Sequence, residues 1–108
     1  MLSLEALADP TRRRIVELLA RGERTAGELV DEFDVSAPAI SQHLKVLREA
    51  RLVTVRIDAQ FRRYSLDPHG LDEIGRWLER TRNFWSRQLD ALERELRADE
   101  IKNQKSKP

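Results

Sequence analysis

Between Ser36 and Leu66 the apolar residues change their period from 3.6 to 2, and this change limits the possible folds more than any other feature. Up to Ala50 the pattern is helical, with Ile40, Leu44 and Leu47 on one stripe. From Val53 it alternates: Val53, Val55 and Ile57 are separated by Thr54 and Arg56. After Asp58-Ala59-Gln60-Phe61, the residues Arg62, Tyr64 and Leu66 alternate back with Arg63 and Ser65. A helix followed directly by a short hairpin is therefore predicted, with Arg62 and Arg63 close to the hairpin tip.

The helix over 36–50 opens on Ser36, a good N-cap, and carries Pro38 in its first turn, where a missing N–H is harmless. Opposite the apolar stripe lie Ala37, Ser41, Gln42, Lys45 and Arg48, with no carboxylate before Glu49. Small residues permit close approach, Ser and Gln can bond base edges, and Lys or Arg can hold phosphate. The face therefore suits the major groove of DNA. An ordinary surface helix also has one apolar and one polar face, so the flanking chain has to decide.

Upstream, residues 2–8 read as a short helix with Leu4, Leu7 and Ala8 on one side. Asp9-Pro10 stops it and starts a second helix to about Ala20, with Ile15, Leu18 and Leu19 inward. Arg12 to Arg14 read as solvated or ion-paired in preference to phosphate-bound. Gly22 supplies a helix-ending glycine. Thr25-Ala26-Gly27-Glu28 is a capping box that opens a third helix, whose apolar side is Ala26, Leu29, Val30 and Phe33. The Thr25 hydroxyl could also reach a phosphate. Asp34-Val35 joins this helix tightly to the one starting at Ser36, which makes a helix-turn-helix. With the basic hairpin behind it, the pattern is a winged helix: mainly α with a small β-hairpin.

Asp67-Pro68-His69-Gly70 ends the hairpin. From Leu71 to about Ala98, Leu71, Ile74, Leu78, Thr81, Trp85, Leu89, Leu92 and Leu96 step by three and four, and Trp77 and Phe84 widen the stripe. Such a helix is about 40 Å long at about 1.5 Å per residue, longer than a small domain needs internally. The expected cover is the same helix of a second subunit, with Leu4, Leu7, Leu78, Trp85, Leu89 and Leu92 as interface residues. The alternative is a helix folded back on its own domain. Two segments are expected: a binding and dimerisation domain over 1–98 and a polar, disordered tail over 99–108.

Charge placement supports the DNA reading where net charge does not. The 108 residues carry a formal charge of only +1. Residues 1–35 hold five basic and eight acidic side chains, whereas residues 36–66 hold six basic (Lys45, Arg48, Arg51, Arg56, Arg62 and Arg63) and two acidic. A local basic patch in a near-neutral chain is the footprint of a small sequence-specific binder.

Other classes fare worse. The chain has no cysteine, which excludes disulfides and thiolate zinc sites. No apolar run approaches the roughly 18 residues of a membrane span, so a cytoplasmic protein is expected. Ser41 and His43 lie two apart on a helix and point to different sides, so they make no nucleophile–base pair. There is no glycine-rich phosphate loop, and neither catalysis nor a cofactor is expected.

With these elements placed, the chain resembles the ArsR/SmtB family of small bacterial winged-helix transcriptional regulators over about residues 2–95. The strongest parts are Leu7-Ala8-Asp9-Pro10-Thr11-Arg12-Arg13-Arg14-Ile15 and Ser36-Ala37-Pro38-Ala39-Ile40-Ser41-Gln42-His43-Leu44-Lys45-Val46-Leu47, followed by Leu52-Val53 and the arginine-flanked wing ending in Tyr64. The resemblance implies a homodimer, formed by the first and last helices, that represses transcription from an operator near its own promoter until a signal releases it. It differs from the family's metal sensors. The third helix has Glu28-Leu29-Val30-Asp31-Glu32-Phe33 without cysteine, and the last helix has no histidine. Asp90 and Glu93 fit a solvated surface better than a metal site, so the chain is closer to the family's metal-independent autorepressors. Arg51 stands where the family commonly ends the reading helix in glycine. That implies strain if its backbone is left-handed, and offers one more cation to phosphate.

The expected base-facing residues are Ala37, Pro38, Ser41 and Gln42, and the expected phosphate contacts are Lys45, Arg48, Arg62 and Arg63. His43 could serve either as a structural hydrogen-bonder or as a phosphate contact. The competing function is a winged-helix module for protein contacts, which would tolerate loss of Lys45, Arg62 and Arg63.

Overall fold

A computed structural model describes the chain from Leu2 to Lys105. The elements are α1 (Leu2–Ala6), α2 (Pro10–Leu19), β1 (Arg24–Thr25), α3 (Ala26–Glu32), α4 (Ala37–Glu49), β2 (Val53–Asp58), β3 (Phe61–Leu66) and α5 (Pro68–Lys105). They fall into two compact units, residues 1–74 and the remainder of α5 from Gly75.

In the first unit, Ile15, Leu18, Leu19, Leu29, Ile40, Leu44, Leu47, Leu52, Val53 and Tyr64 form one buried cluster. Each helix contributes the stripe its sequence period specifies, and the hairpin contributes alternate residues. Val53 pairs with Leu66 and Val55 with Tyr64 on the face turned to the helices. Thr54–Ser65 and Arg56–Arg63 lie on the other face. Leu71 and Ile74, at the start of α5, pack against the same cluster.

Helix ends follow local chemistry. Asp9 accepts from the N–H groups of Thr11 and Arg12 to cap α2, and Ser36 accepts from Ala39 to cap α4. The capping box on α3 is complete: Thr25 Oγ1 accepts from the Glu28 N–H, and the Glu28 carboxylate accepts from the Thr25 N–H. Helix α4 ends in a full Schellman turn, in which the Leu52 N–H reaches Leu47 O and the Arg51 N–H reaches Arg48 O. Arg51 is the left-handed residue of that turn, with φ 57°.

The structure departs from the sequence reading in four places. Helix α1 is shorter than expected and turns Ser3 and Ala6 inward, leaving Leu4 and Leu7 half-buried and Ala8 exposed. The small Ser3 and Ala6 side chains let α1 pack closely against α4. The two-residue strand β1 was not foreseen; it pairs with β3, giving a three-stranded antiparallel sheet in the order β1-β3-β2. Helix α5 starts at Pro68, where the Asp67 carboxylate accepts from the His69 N–H, earlier than the expected Leu71, so the last helix does contain one histidine, His69, in its first turn. It also runs on to Lys105, so residues 99–105, expected to be disordered tail, are helical; neither glycine nor proline interrupts them. Residues 106–108 lie outside the described residues.

The α5 stripe is exposed in this single chain: Leu78, Phe84, Trp85, Leu89, Leu92 and Leu96 are each at least half exposed. Ile74, Leu78, Thr81, Trp85, Leu89, Leu92 and Leu96 follow a repeating 4-3-4 spacing. Eleven residues over three turns is close to the natural helical period, so the stripe runs nearly parallel to the helix axis. Phe84 and Trp85 meet edge to face, with centroids 5.5 Å apart.

Candidate nucleic-acid interface

Ser36 and Pro38 start α4 at a defined point, and burial of Ile40, Leu44 and Leu47 fixes its rotation. The exposed face therefore carries Ala37, Pro38, Ser41, Gln42, Lys45, Arg48 and Glu49. None of the Ser41, Gln42, Lys45 and Arg48 side chains is engaged by another described residue, so their donors and acceptors are open to a ligand. Helix α3 packs across α4 in the helix-turn-helix arrangement.

The six basic side chains of residues 36–66 separate into two groups. Arg56 donates to Glu23 at 2.8 Å. Arg63 donates to Asp58 at 2.9 Å, lies 3.9 Å from Glu23, and sits over the Phe61 ring at 5.7 Å from its centroid. Arg56 and Arg63 are cross-strand neighbours. Like charges in that position repel, and Glu23 offsets the repulsion from between them. Lys45, Arg48, Arg51 and Arg62 have no such partner among the described residues and are exposed. Of the two wing arginines expected to be available, the structure leaves Arg62 free and engages Arg63 internally. Sequence reasoning missed this because which wing arginine meets Asp58, five residues from Arg63, depends on the hairpin fold, and because Glu23, which pairs with Arg56 and lies near Arg63, is far from both along the chain.

The arginines after Pro10 also have specific roles. Arg12 Nε donates to Ala6 O and Arg13 Nη1 to Leu7 O, satisfying carbonyls at the end of α1. Arg14 pairs with Glu17 at 3.5 Å. Arg12 and Arg13 are thus neither simply solvated nor ion-paired, as the sequence suggested; they latch α1 down. The signal was available, since a short helix ending just before a run of arginines has orphan carbonyls within their reach.

His43 is half-buried, with Nδ1 3.4 Å from Arg12 Nη1. A guanidinium only donates, so Nδ1 is the acceptor in this contact. Of its two possible roles, the structure supports the hydrogen-bonding one. Nearby, Asp9 has its carboxyl held below the ordinary value, chiefly by the Arg12 N–H, with the Thr11 N–H and the Arg12 charge adding and burial opposing. Glu28 is also lowered, first by the Thr25 N–H and then by its hydroxyl. Both acids cap helices, which explains their shifts without catalysis.

Among the described residues, no three or more His, Cys, Asp or Glu side chains are grouped to hold a metal ion. Among the same residues, no helix is long and apolar enough to cross a membrane.

Comparison with known proteins agrees with this geometry. Residues 9–55, from the α2 cap to the middle of β2, match the family described as bacterial regulatory protein, arsR family. The chain is 53% identical over 85 residues to the HTH-type transcriptional regulator Rv2034 of Mycobacterium tuberculosis, covering 79% of this chain and 77% of that protein. It is 39% identical over 74 residues to the transcriptional repressor SdpR of Bacillus subtilis, covering 68% of this chain and 82% of that one. Among solved structures, one described as a possible transcriptional regulator for arsenical resistance superposes with a TM-score of 0.70 at 49% identity, covering 79% of this chain and 85% of its own. These relatives are transcriptional regulators, not enzymes. Sequence identity and shared geometry both run through the helix-turn-helix and its hairpin, and the chain belongs to the ArsR family of DNA-binding bacterial transcriptional regulators.

Proposed function

We propose that this protein is a homodimeric repressor that reads an inverted-repeat operator near its own promoter, without a metal cofactor. The observation that carries the reading is an exposed, unengaged α4 face that holds two unpaired cations, Lys45 and Arg48, with two more, Arg51 and Arg62, just after the helix and on the wing. Ala37 and Pro38 let α4 approach the major groove. Ser41 and Gln42 meet base edges, with Gln42 able to pair bidentately with adenine. Lys45 and Arg48 hold phosphates, and Arg62 reaches the backbone or minor groove from the wing. Arg63 joins it only by giving up its pairing with Asp58.

The exposed α5 stripe supports dimerisation. Trp85, Leu89 and Leu92 are between 50% and 63% exposed in the isolated chain, an apolar surface that a second copy of α5 would cover. Two reading helices related by a two-fold axis face half-sites about one helical turn apart.

Selecting binding sites from a random DNA pool tests the reading. It predicts enrichment of an inverted repeat at two chains per duplex. No enrichment over the starting pool, with a dimeric protein, would favour the protein-contact module instead.

A further inference from the structure

An open groove of 540 Å³ lies between the end of α4 and β2, lined by Lys45, Arg48, Glu49, Arg51, Val53, Thr54, Val55 and Asp67. We propose that it seats one phosphodiester of the DNA backbone, with Arg51 as a phosphate ligand beside Lys45, Arg48 and the Thr54 hydroxyl. The inference rests on the DNA-binding reading and adds to it a defined backbone contact at the base of the wing.

Three observations carry it. The first is chemical. Lys45, Arg48 and Arg51 are unpaired among the described residues, while of the two carboxylates Asp67 is occupied in capping α5 through the His69 N–H. The lining is therefore net positive by one charge, which matches a phosphodiester monoanion. Of the apolar lining, Val53 belongs to the buried core and Val55 is half-buried, so the accessible part of the groove is its polar and cationic rim. The second is position. Lys45 is one helical turn beyond Gln42, so a backbone strand entering the groove continues from the base-reading face.

The third is Arg51 itself. Its φ of 57° is a conformation that suits glycine, and the Schellman turn of α4 places the residue there whatever its side chain. An arginine at this point strains the backbone, and its side chain makes no hydrogen bond or ion pair among the described residues in return. The side chain instead adds a third cation to the groove.

The test measures Arg51→Gly, Arg51→Lys and Arg62→Ala in the full chain, by denaturation midpoint and by DNA binding over a salt series. Arg51→Gly should raise the midpoint, weaken binding to operator and unrelated DNA alike by about three- to tenfold, and lower the salt slope by about 0.9. Arg51→Lys should retain the slope. Unchanged affinity and slope for Arg51→Gly, with Arg62→Ala still weakened, would overturn the groove assignment and leave the DNA reading intact. Loss of neither, with no salt-dependent binding by the wild type, would overturn both. Inorganic phosphate replacing chloride at matched ionic strength should leave affinity unchanged; specific displacement would reassign the groove to a free phosphate.

Discussion

Gly70→Ala is a sharp test of how the start of α5 docks on the end of α4. A Cβ at Gly70 would lie 2.5 Å from Arg51 O, 2.8 Å from Arg51 C and 2.9 Å from Ala50 O. All three are backbone atoms, and Arg51 O also accepts the Gly70 N–H at 2.8 Å. No side-chain rotation relieves the clash, so α5 has to move off the Schellman turn. Overpacking of this kind costs about 1–3 kcal/mol. A stretched hydrogen bond adds about 1 kcal/mol, and the better helix propensity of alanine returns up to about 1 kcal/mol. The net expectation is a loss of about 2 kcal/mol, or roughly 10 °C in Tm for a chain this size. Gly75→Ala, also in α5, is the control. A Cβ there meets nothing within 4 Å, so the propensity gain stands alone and the variant should be more stable by about 0.5–1 kcal/mol. Urea denaturation at one fixed chain concentration measures both, since association would shift the apparent stability. A Gly70→Ala variant as stable as wild type, with unchanged m, would refute the docking geometry.

Three further outcomes follow from individual residues. Asp9→Ala should cost about 1 kcal/mol at neutral pH through loss of the α2 cap. Because the folded-state carboxyl is lowered, its contribution is complete above the unfolded value of about 3.9 and disappears as pH falls through the lower folded value. The stability gap between Asp9→Ala and wild type should therefore close only in that acid range, and a gap independent of pH would contradict the charged cap. Ser3 is 1% exposed and its hydroxyl has no hydrogen-bond partner among the described residues, so Ser3→Ala should stabilise by about 1 kcal/mol in thermal melts; a loss of stability would mean the hydroxyl is bonded. Gln42→Ala should relax preference at one base position by about 1–3 kcal/mol, whereas Arg62→Ala should weaken every sequence alike and flatten the salt slope. Competition binding with single-base operator variants separates these two, and an unchanged sequence preference for Gln42→Ala would remove that residue from base reading.

The elements that could be read from sequence are those governed by local rules. The Ser36 and Thr25 caps, the Ile40-Leu44-Leu47 stripe and the alternation from Val53 each follow from neighbouring residues alone, and the structure keeps all of them. The left-handed turn at Arg51 was implied by the family resemblance, which commonly has glycine at that point, and not by the local pattern. What stayed hidden depends on contacts between distant segments. Strand β1 is two residues whose only strand-like property is pairing with Tyr64 and Arg63. Glu23 neutralises Arg56 and Arg63 across more than thirty residues, so the sequence shows six cations in the patch where the fold leaves four unpaired. The inward turn of α1 was misread because leucine is the usual core residue, while packing against α4 selected the smaller Ser3 and Ala6.

The most direct test of the central claim is fluorescence anisotropy of the purified protein with DNA from upstream of its own gene, against scrambled competitor and over a salt series. The account predicts tight, competitor-resistant binding at two chains per site, with a salt slope that shrinks when Arg62 or Arg51 is neutralised. Equal, weak binding to both DNAs that is indifferent to Gln42 and Arg62 would contradict it.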